Sequence, residues 1–386
     1  MELLHYFEPV STEVLKDCDV FNKYPLSGAL QINSFSKPLK SLEGIEIAIL
    51  GVPEERHSLN KGCGFAPDII RKYLYQLSAF EKNTIADLGN LKSGNTVQDT
   101  YIAVRDVIIE LVSSEIVPII IGGSQDLTFA VFQSFEKLEQ TVNLVTVDAR
   151  FDLGDVNDPM NANNYLSKII TQKSNCLFNV TNLGYQAYYV SQEEIDLMKN
   201  ILFDYNRLGY IQADIREAEP FFRDANMVSI DISAVRQSDA PGHFFPSPNG
   251  FYGEELCQLC RYAGLSDKVS WFGLFEVNPE QDINNQTSHL AAQAIWHFIE
   301  GFYLRKKEYP FTSLQEYRKI VVKVEEPDYE IIFYNNPATQ RWWMEIPYQK
   351  AEYQKSMIIA CSSKDYDNAC KQEIPDRWWK TFQKIC

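Results

Sequence analysis

Short apolar runs broken by Gly, Asp or Pro recur along the chain, at 45–51, 116–122, 142–148, 177–184, 227–232 and 271–277. Longer amphipathic segments lie between them, and 100–113, 254–263 and 290–304 carry apolar residues at helical spacing. Near-continuous apolar strands alternating with helices predict a parallel sheet covered on both faces, a three-layer α/β fold. In such sheets ligands bind beyond the carboxyl ends of the strands. The polar residues that close the runs are therefore the candidates for chemistry.

The pattern divides the chain into an N-terminal extension over 1–44, a main α/β domain over 45–308, and a C-terminal extension over 309–386. In the last of these, 329–334 and 341–346 alternate like strands around Asn335-Asn336-Pro337 and predict a hairpin. A short terminal helix is expected over 375–384. Trp342, Trp343, Trp378 and Trp379 all fall in this tail. Alternation around a turn predicts that it packs on the main domain by an aromatic face.

Composition narrows the partners. With 52 acidic against 36 basic residues the net charge is -16. Nucleic acid and anionic membrane need a basic surface, so both are excluded as expected partners. No run reaches the roughly 18 apolar residues that span a bilayer. The first residues lack the basic-then-apolar order of a signal peptide. Eight cysteines are scattered through the chain, and Cys257 and Cys260 sit inside a helical run, which predicts a reduced, structural pair. A cytoplasmic location is expected.

Four strand ends carry the functional argument. They are Gly122-Gly123-Ser124-Gln125-Asp126, Asp148-Ala149-Arg150-Phe151-Asp152, Ser229-Ile230-Asp231-Ile232-Ser233 and Glu276-Val277-Asn278-Pro279. Gly51-Val52-Pro53, Ala66-Pro67-Asp68 with Arg71, and Asp87-Leu88-Gly89 accompany them. In this order the set resembles the ureohydrolase family of arginases, agmatinases and formimidoylglutamases, over residues 45–304. The resemblance implies two manganese ions bridged by a hydroxide that attacks a guanidino or formimino carbon.

Carried over position by position, the family's metal ligands become Gln125, Asp148, Arg150, Asp152, Asp231 and Ser233. The three aspartates match. Gln125 offers only an amide oxygen, Arg150 has no acceptor atom, and Ser233 exchanges a charge for a hydroxyl. The first metal position keeps three carboxylates and an amide, whereas the second, which uses Arg150 and Ser233, is lost. Glu276 stands where the family contacts the cationic end of its substrate. His243 lies just beyond Ala240-Pro241-Gly242 and reads as a loop histidine bonded to backbone.

These departures predict a catalytically silent relative with no cofactor, acting by binding a protein partner or a small cationic ligand at Glu276, as a monomer or homo-oligomer. The alternative is an active hydrolase of a linear guanidino or formimino compound, with one divalent cation, Mg²⁺ or Mn²⁺, on Asp148, Asp152, Asp231 and Gln125. Unit charges about 4 Å apart repel by roughly 4 kcal/mol near a protein surface. Three clustered aspartates therefore need a compensating cation. The guanidinium of Arg150 is the expected one, as a salt bridge in place of the lost metal; the competing reading has it pointing into solvent.

Overall fold

Strands form where the apolar runs predict them, and the computed structural model adds others. It describes residues 2–16, 23–82, 84–173, 176–308, 314–325, 329–350 and 353–385. In chain order the strands are β1 (Phe7–Glu8), β2 (Gln31–Ile32), β3 (Ile47–Val52), β4 (Ile85–Leu91) and β5 (Val117–Gly122). Next come β6 (Val142–Val147), β7 (Leu177–Tyr185), β8 (Asp204–Arg207), β9 (Met227–Asp231) and β10 (Trp271–Phe275). They make one sheet in the order β1-β4-β3-β5-β10-β9-β6-β7-β8, with β2 beside β4. Every pairing is parallel except that of β1 with β4.

The continuous apolar runs are explained by burial on both faces. Ile47, Ile49, Ile119 and Ile121 turn to one side, where the helices Ala66–Leu74, Gly253–Leu265 and Gln286–Tyr303 cover them. Ala48, Leu50 and Ile120 turn to the other, under the helices Val97–Ser113 and Leu127–Lys137. Alternate residues of each central strand thus feed opposite cores, and neither face is free to be polar. The arrangement is the three-layer α/β sandwich that the periodicity predicts.

Strands β4 and β8 are absent from the sequence pattern for different physical reasons. β4 reads Ile-Ala-Asp-Leu-Gly-Asn-Leu, and its apolar run is broken by Asp87, which is wholly buried against Arg71. Arg71 Nε and Nη2 donate to the two Asp87 carboxylate oxygens at 2.9 and 3.0 Å, and Tyr75 Oη donates at 2.8 Å. β8 lies at the sheet edge and is polar throughout. The segment before residue 45 contributes β1 and β2 to the opposite side of the sheet.

Beyond the main sheet stand β11 (Arg318–Val324), β12 (Tyr329–Asn335), β13 (Trp342–Lys350) and β14 (Tyr353–Cys361), an antiparallel sheet in that order. The hairpin expected from alternation is β12–β13, with Phe333 opposite Met344 and Tyr334 opposite Trp343. One face packs under the helices Ser363–Cys370 and Asp376–Ile385, and Trp378 of the second helix is buried against the sheet, its Nε1–H donating to the Glu345 carbonyl at 2.9 Å. The sheet is fixed to the main domain at the end of the helix Glu219–Asp224. Arg223 donates to the carbonyls of Trp342 and Cys361 at 2.8 and 3.0 Å and lies 4.5 Å over the Trp343 ring. Asp224 accepts from the Ala360 N–H at 2.7 Å and from Lys268 at 2.9 Å. Burial alone would raise its carboxyl; the neighbouring Lys268 and Arg377 charges outweigh this and hold it below the ordinary value. Among the described residues no helix is long and apolar enough to cross a membrane.

Candidate active site

In a parallel sheet every strand delivers its last side chains to the same edge. β5, β10, β9 and β6 are consecutive neighbours, and just past their ends stand Gln125, Glu276, Asp231 and Asp148. The turn after β5 needs its glycine, because a Cβ on Gly123 would collide with the Glu54 carbonyl. Asp152 follows Asp148 in the loop and joins the cluster with φ at 54°, and Glu276 has φ at 63°. Left-handed backbone costs a non-glycine residue about 1 kcal/mol or more and persists where the surroundings demand it. Asp152 and Glu276 are both acids of this cluster.

Asp148, Asp152, Asp231 and Glu276 line one cavity of ≈ 60 Å³ together with Ser58, Asn60, Arg150, Tyr189, Ser233 and His243. Burial pushes the Asp148 carboxyl well up, and the Asp152 and Asp231 charges add to it. Burial likewise raises Asp152 to about 8, with Asp231 contributing. Glu276 rises to about 8, first through burial and then through Asp231. Four acids share one desolvated space, and without a cation Asp152 and Glu276 hold protons near neutral pH.

Gln125 closes the cluster. One terminal atom of its amide lies 3.1 Å from Asp231 Oδ2, 3.2 Å from Asp148 Oδ2 and 3.1 Å from Asp152 Oδ2, while the other is 3.3 Å from Ser229 Oγ. If the nitrogen takes the carboxylate corner, it donates to the aspartates. If the oxygen takes it, the amide stands as a fourth oxygen within 3.2 Å of one oxygen from each aspartate. Among the described residues, no three His, Cys, Asp or Glu side chains make a metal cage by themselves. At the second metal position Arg150 has no ligand atom and Ser233 offers only a neutral hydroxyl.

The expected salt bridge from Arg150 is not formed. Its backbone N–H caps Asp148 Oδ1 at 2.8 Å, but its guanidinium lies 5.0 Å over the Tyr189 ring. Nor does it point freely into solvent, since it lines the cavity. Stacking on an aromatic face keeps the guanidinium partly hydrated, whereas entering the aspartate cluster would strip it of water. Ser233 contributes its backbone N–H to Asp231 Oδ1 at 2.6 Å.

Glu276 is held from two sides. Its Oε1 accepts from the Gln125 N–H at 2.9 Å, and Oε2 accepts from Ser58 Oγ at 2.9 Å and Asn60 Nδ2 at 3.1 Å. Asn278 in turn donates to Asn60 Oδ1 at 2.8 Å and fixes that loop. His243 Nδ1 accepts from the Phe245 N–H at 3.0 Å, which leaves the proton of the neutral ring on Nε2. Burial lowers its pKa, against the pull of Asp231. Sequence reasoning placed Glu276 and the aspartates but not Ser58, Asn60 or Tyr189. Those residues come from loops whose side chains meet the strand ends only after folding, and no spacing marks them.

These features define a three-layer α/β protein with an acidic pocket at the carboxyl edge of its parallel sheet. The arginase family model matches residues 45–300, and the chain belongs to the arginase family. It is 25% identical over 247 residues to formimidoylglutamase of Staphylococcus haemolyticus, covering 62% of this chain and 79% of that protein. With formimidoylglutamase of Bacillus subtilis it shares 24% over 279 residues, 67% of this chain and 87% of the relative. The crystal structure of the Bacillus subtilis enzyme superposes with a TM-score of 0.65, over 73% of this chain and 93% of that one. A Trypanosoma cruzi formiminoglutamase with manganese superposes with a TM-score of 0.62 at 18% identity, over 69% and 97% of the two chains.

The expectation of a catalytically silent protein is overturned by these relatives, which are formimidoylglutamases matched over most of their length. They favour the alternative, an active hydrolase. The expectation of no cofactor also loses its support, because a structural neighbour carries manganese. Both expectations took the loss of the second metal position, through Arg150 and Ser233, as the loss of catalysis.

Proposed function

We propose that the chain is a divalent-cation-dependent hydrolase of linear amidines, with N-formimidoyl compounds as the substrate class. The observation that carries this reading is the acid cluster at the strand ends, where the Gln125 amide lies within 3.2 Å of an oxygen of each of Asp148, Asp152 and Asp231 and Glu276 shares the aspartates' cavity. The names of the relatives support the formimidoyl group as the reacting head. Unpaired cysteines at 63, 176, 257, 260, 361 and 370 suit a reducing compartment, and a cytoplasmic location belongs to the same reading.

Gln125, Asp148, Asp152 and Asp231 would hold one Mg²⁺ or Mn²⁺. Bound there, the ion supplies Lewis-acid polarisation and a more acidic water. The rest falls to the chain. Glu276 has an unused lone pair on Oε1 and faces the cavity, so it accepts an N–H of the cationic amidine. The Gln125 and Asn60 contacts fix that carboxylate before substrate arrives. The neutral His243 ring offers its Nε2–H as a hydrogen bond in the cavity, and the two protons of the attacking water end on the amine, which leaves as an ammonium. Water adds to the amidine carbon, the C–N bond to the amine breaks, and formamide leaves.

The test is formamide release from N-formimidoyl-L-glutamate and from N-formimidoylglycine, with Mg²⁺ or Mn²⁺ and after chelation. Release that stops on chelation and is lost in Asp231→Asn is expected. Folded, cation-loaded protein that releases no formamide from either compound contradicts the proposal.

A further inference from the structure

Arg150 lines the same cavity as four carboxylic acids; its charge draws on Asp152 across the cavity without closing an ion pair. Among the described residues the guanidinium makes a ring contact with Tyr189 and no ion pair. Its five N–H donors therefore face a space that a ligand can enter. The other wall groups that could carry positive charge reduce to His243, which burial keeps neutral.

The cavity is small. Its enclosed part, ≈ 60 Å³, admits a one-carbon amidine head. The body must lie at the mouth, where Leu59, Tyr189, Phe244 and Phe245 are 65%, 38%, 47% and 58% exposed. Acids on the floor, a cation on the wall and apolar side chains at the rim describe the complement of a ligand with three parts. Its head is cationic, its middle is apolar, and an anion lies within reach of Arg150. Guanidinium binds a carboxylate through two parallel hydrogen bonds, and stacking on Tyr189 orients the plane without using the N–H fork.

We propose that Arg150 is the anchor for a substrate carboxylate, so that the substrate is an amidino acid rather than an amidino amine. The residue at a lost ligand position has thereby become a specificity determinant. This inference rests on the hydrolase reading of the same pocket.

Two probes separate the claims, guanidinobutanoate and butylguanidine, which differ only in the carboxylate. Their affinities are measured by calorimetry on the full chain with Mg²⁺, for the parent, Arg150→Ala and Arg150→Lys. The parent is expected to favour guanidinobutanoate by about tenfold or more, the value of a charge-assisted hydrogen bond. Arg150→Ala should erase the preference and leave butylguanidine affinity unchanged, and Arg150→Lys should keep part of it. Equal affinity of both probes for the parent, or a preference that survives in Arg150→Ala, overturns the carboxylate anchor alone. Binding of neither probe overturns it together with the hydrolase reading.

Discussion

Removing divalent cations should make the stability of this protein fall as pH rises through neutrality. The perturbation is chelation, and the responding groups are Asp152 and Glu276, both raised to about 8, with Asp148 raised as well. Unfolded carboxyls titrate near pH 4. Between that value and about 8 the cation-free folded state holds protons that the unfolded state has released. Stability is therefore complete below about pH 4 and declines as pH rises toward 8. Each extra proton gives a slope of about 1.4 kcal/mol per pH unit, so one proton between pH 5.5 and 7.5 costs about 3 kcal/mol. The acids titrate as a coupled set, and one to two protons is the range expected. Denaturant unfolding at stepped pH, in chelator and in Mg²⁺, measures this directly. Bound cation should recover the loss, because it stabilises the native state by mass action. A chelated protein whose midpoint stays flat from pH 5.5 to 7.5, and which ignores added Mg²⁺, would refute the account of the acid cluster.

Three structural predictions follow from other contacts. Arg71→Leu strands Asp87, a buried carboxylate, and should lower stability by roughly 3–5 kcal/mol in denaturant titration; an unchanged midpoint contradicts the pairing. Gly301→Ala places a methyl against the Arg261 carbonyl where the helices Gly253–Leu265 and Gln286–Tyr303 touch, at a cost of about 1–3 kcal/mol in thermal unfolding. Asp224→Asn removes the charge that faces Lys268 and Arg377 and accepts from Ala360. It should loosen β14 first, seen as faster amide exchange in 356–361 than in β9.

The layer order was legible because buried parallel strands leave no alternative to continuous apolar runs. β4 was not, since Asp87 interrupts its run and its partner Arg71 lies on a helix 16 residues earlier. The acids of the site could be placed from four strand ends, because a parallel sheet gathers such ends at one edge. The direction of Arg150 could not. It depends on Tyr189, which enters from the loop after β7, and no spacing within the motif records that encounter. Gln125 was legible as a weak oxygen ligand, but its value depends on distances to three carboxylates that only the folded chain sets. His243 read as a loop residue bonded to backbone; it makes that bond and also lines the cavity.

The central claim is that one divalent ion, held by three aspartates and an amide, suffices for amidine hydrolysis in this member of the arginase family. Titrating chelated protein with Mg²⁺ or Mn²⁺, while following bound metal by elemental analysis and formamide release from N-formimidoyl-L-glutamate, tests it most directly. The account predicts that activity rises with occupancy and reaches its plateau at one ion per chain. A plateau reached only at two ions per chain, or release that persists with no metal bound, would contradict it.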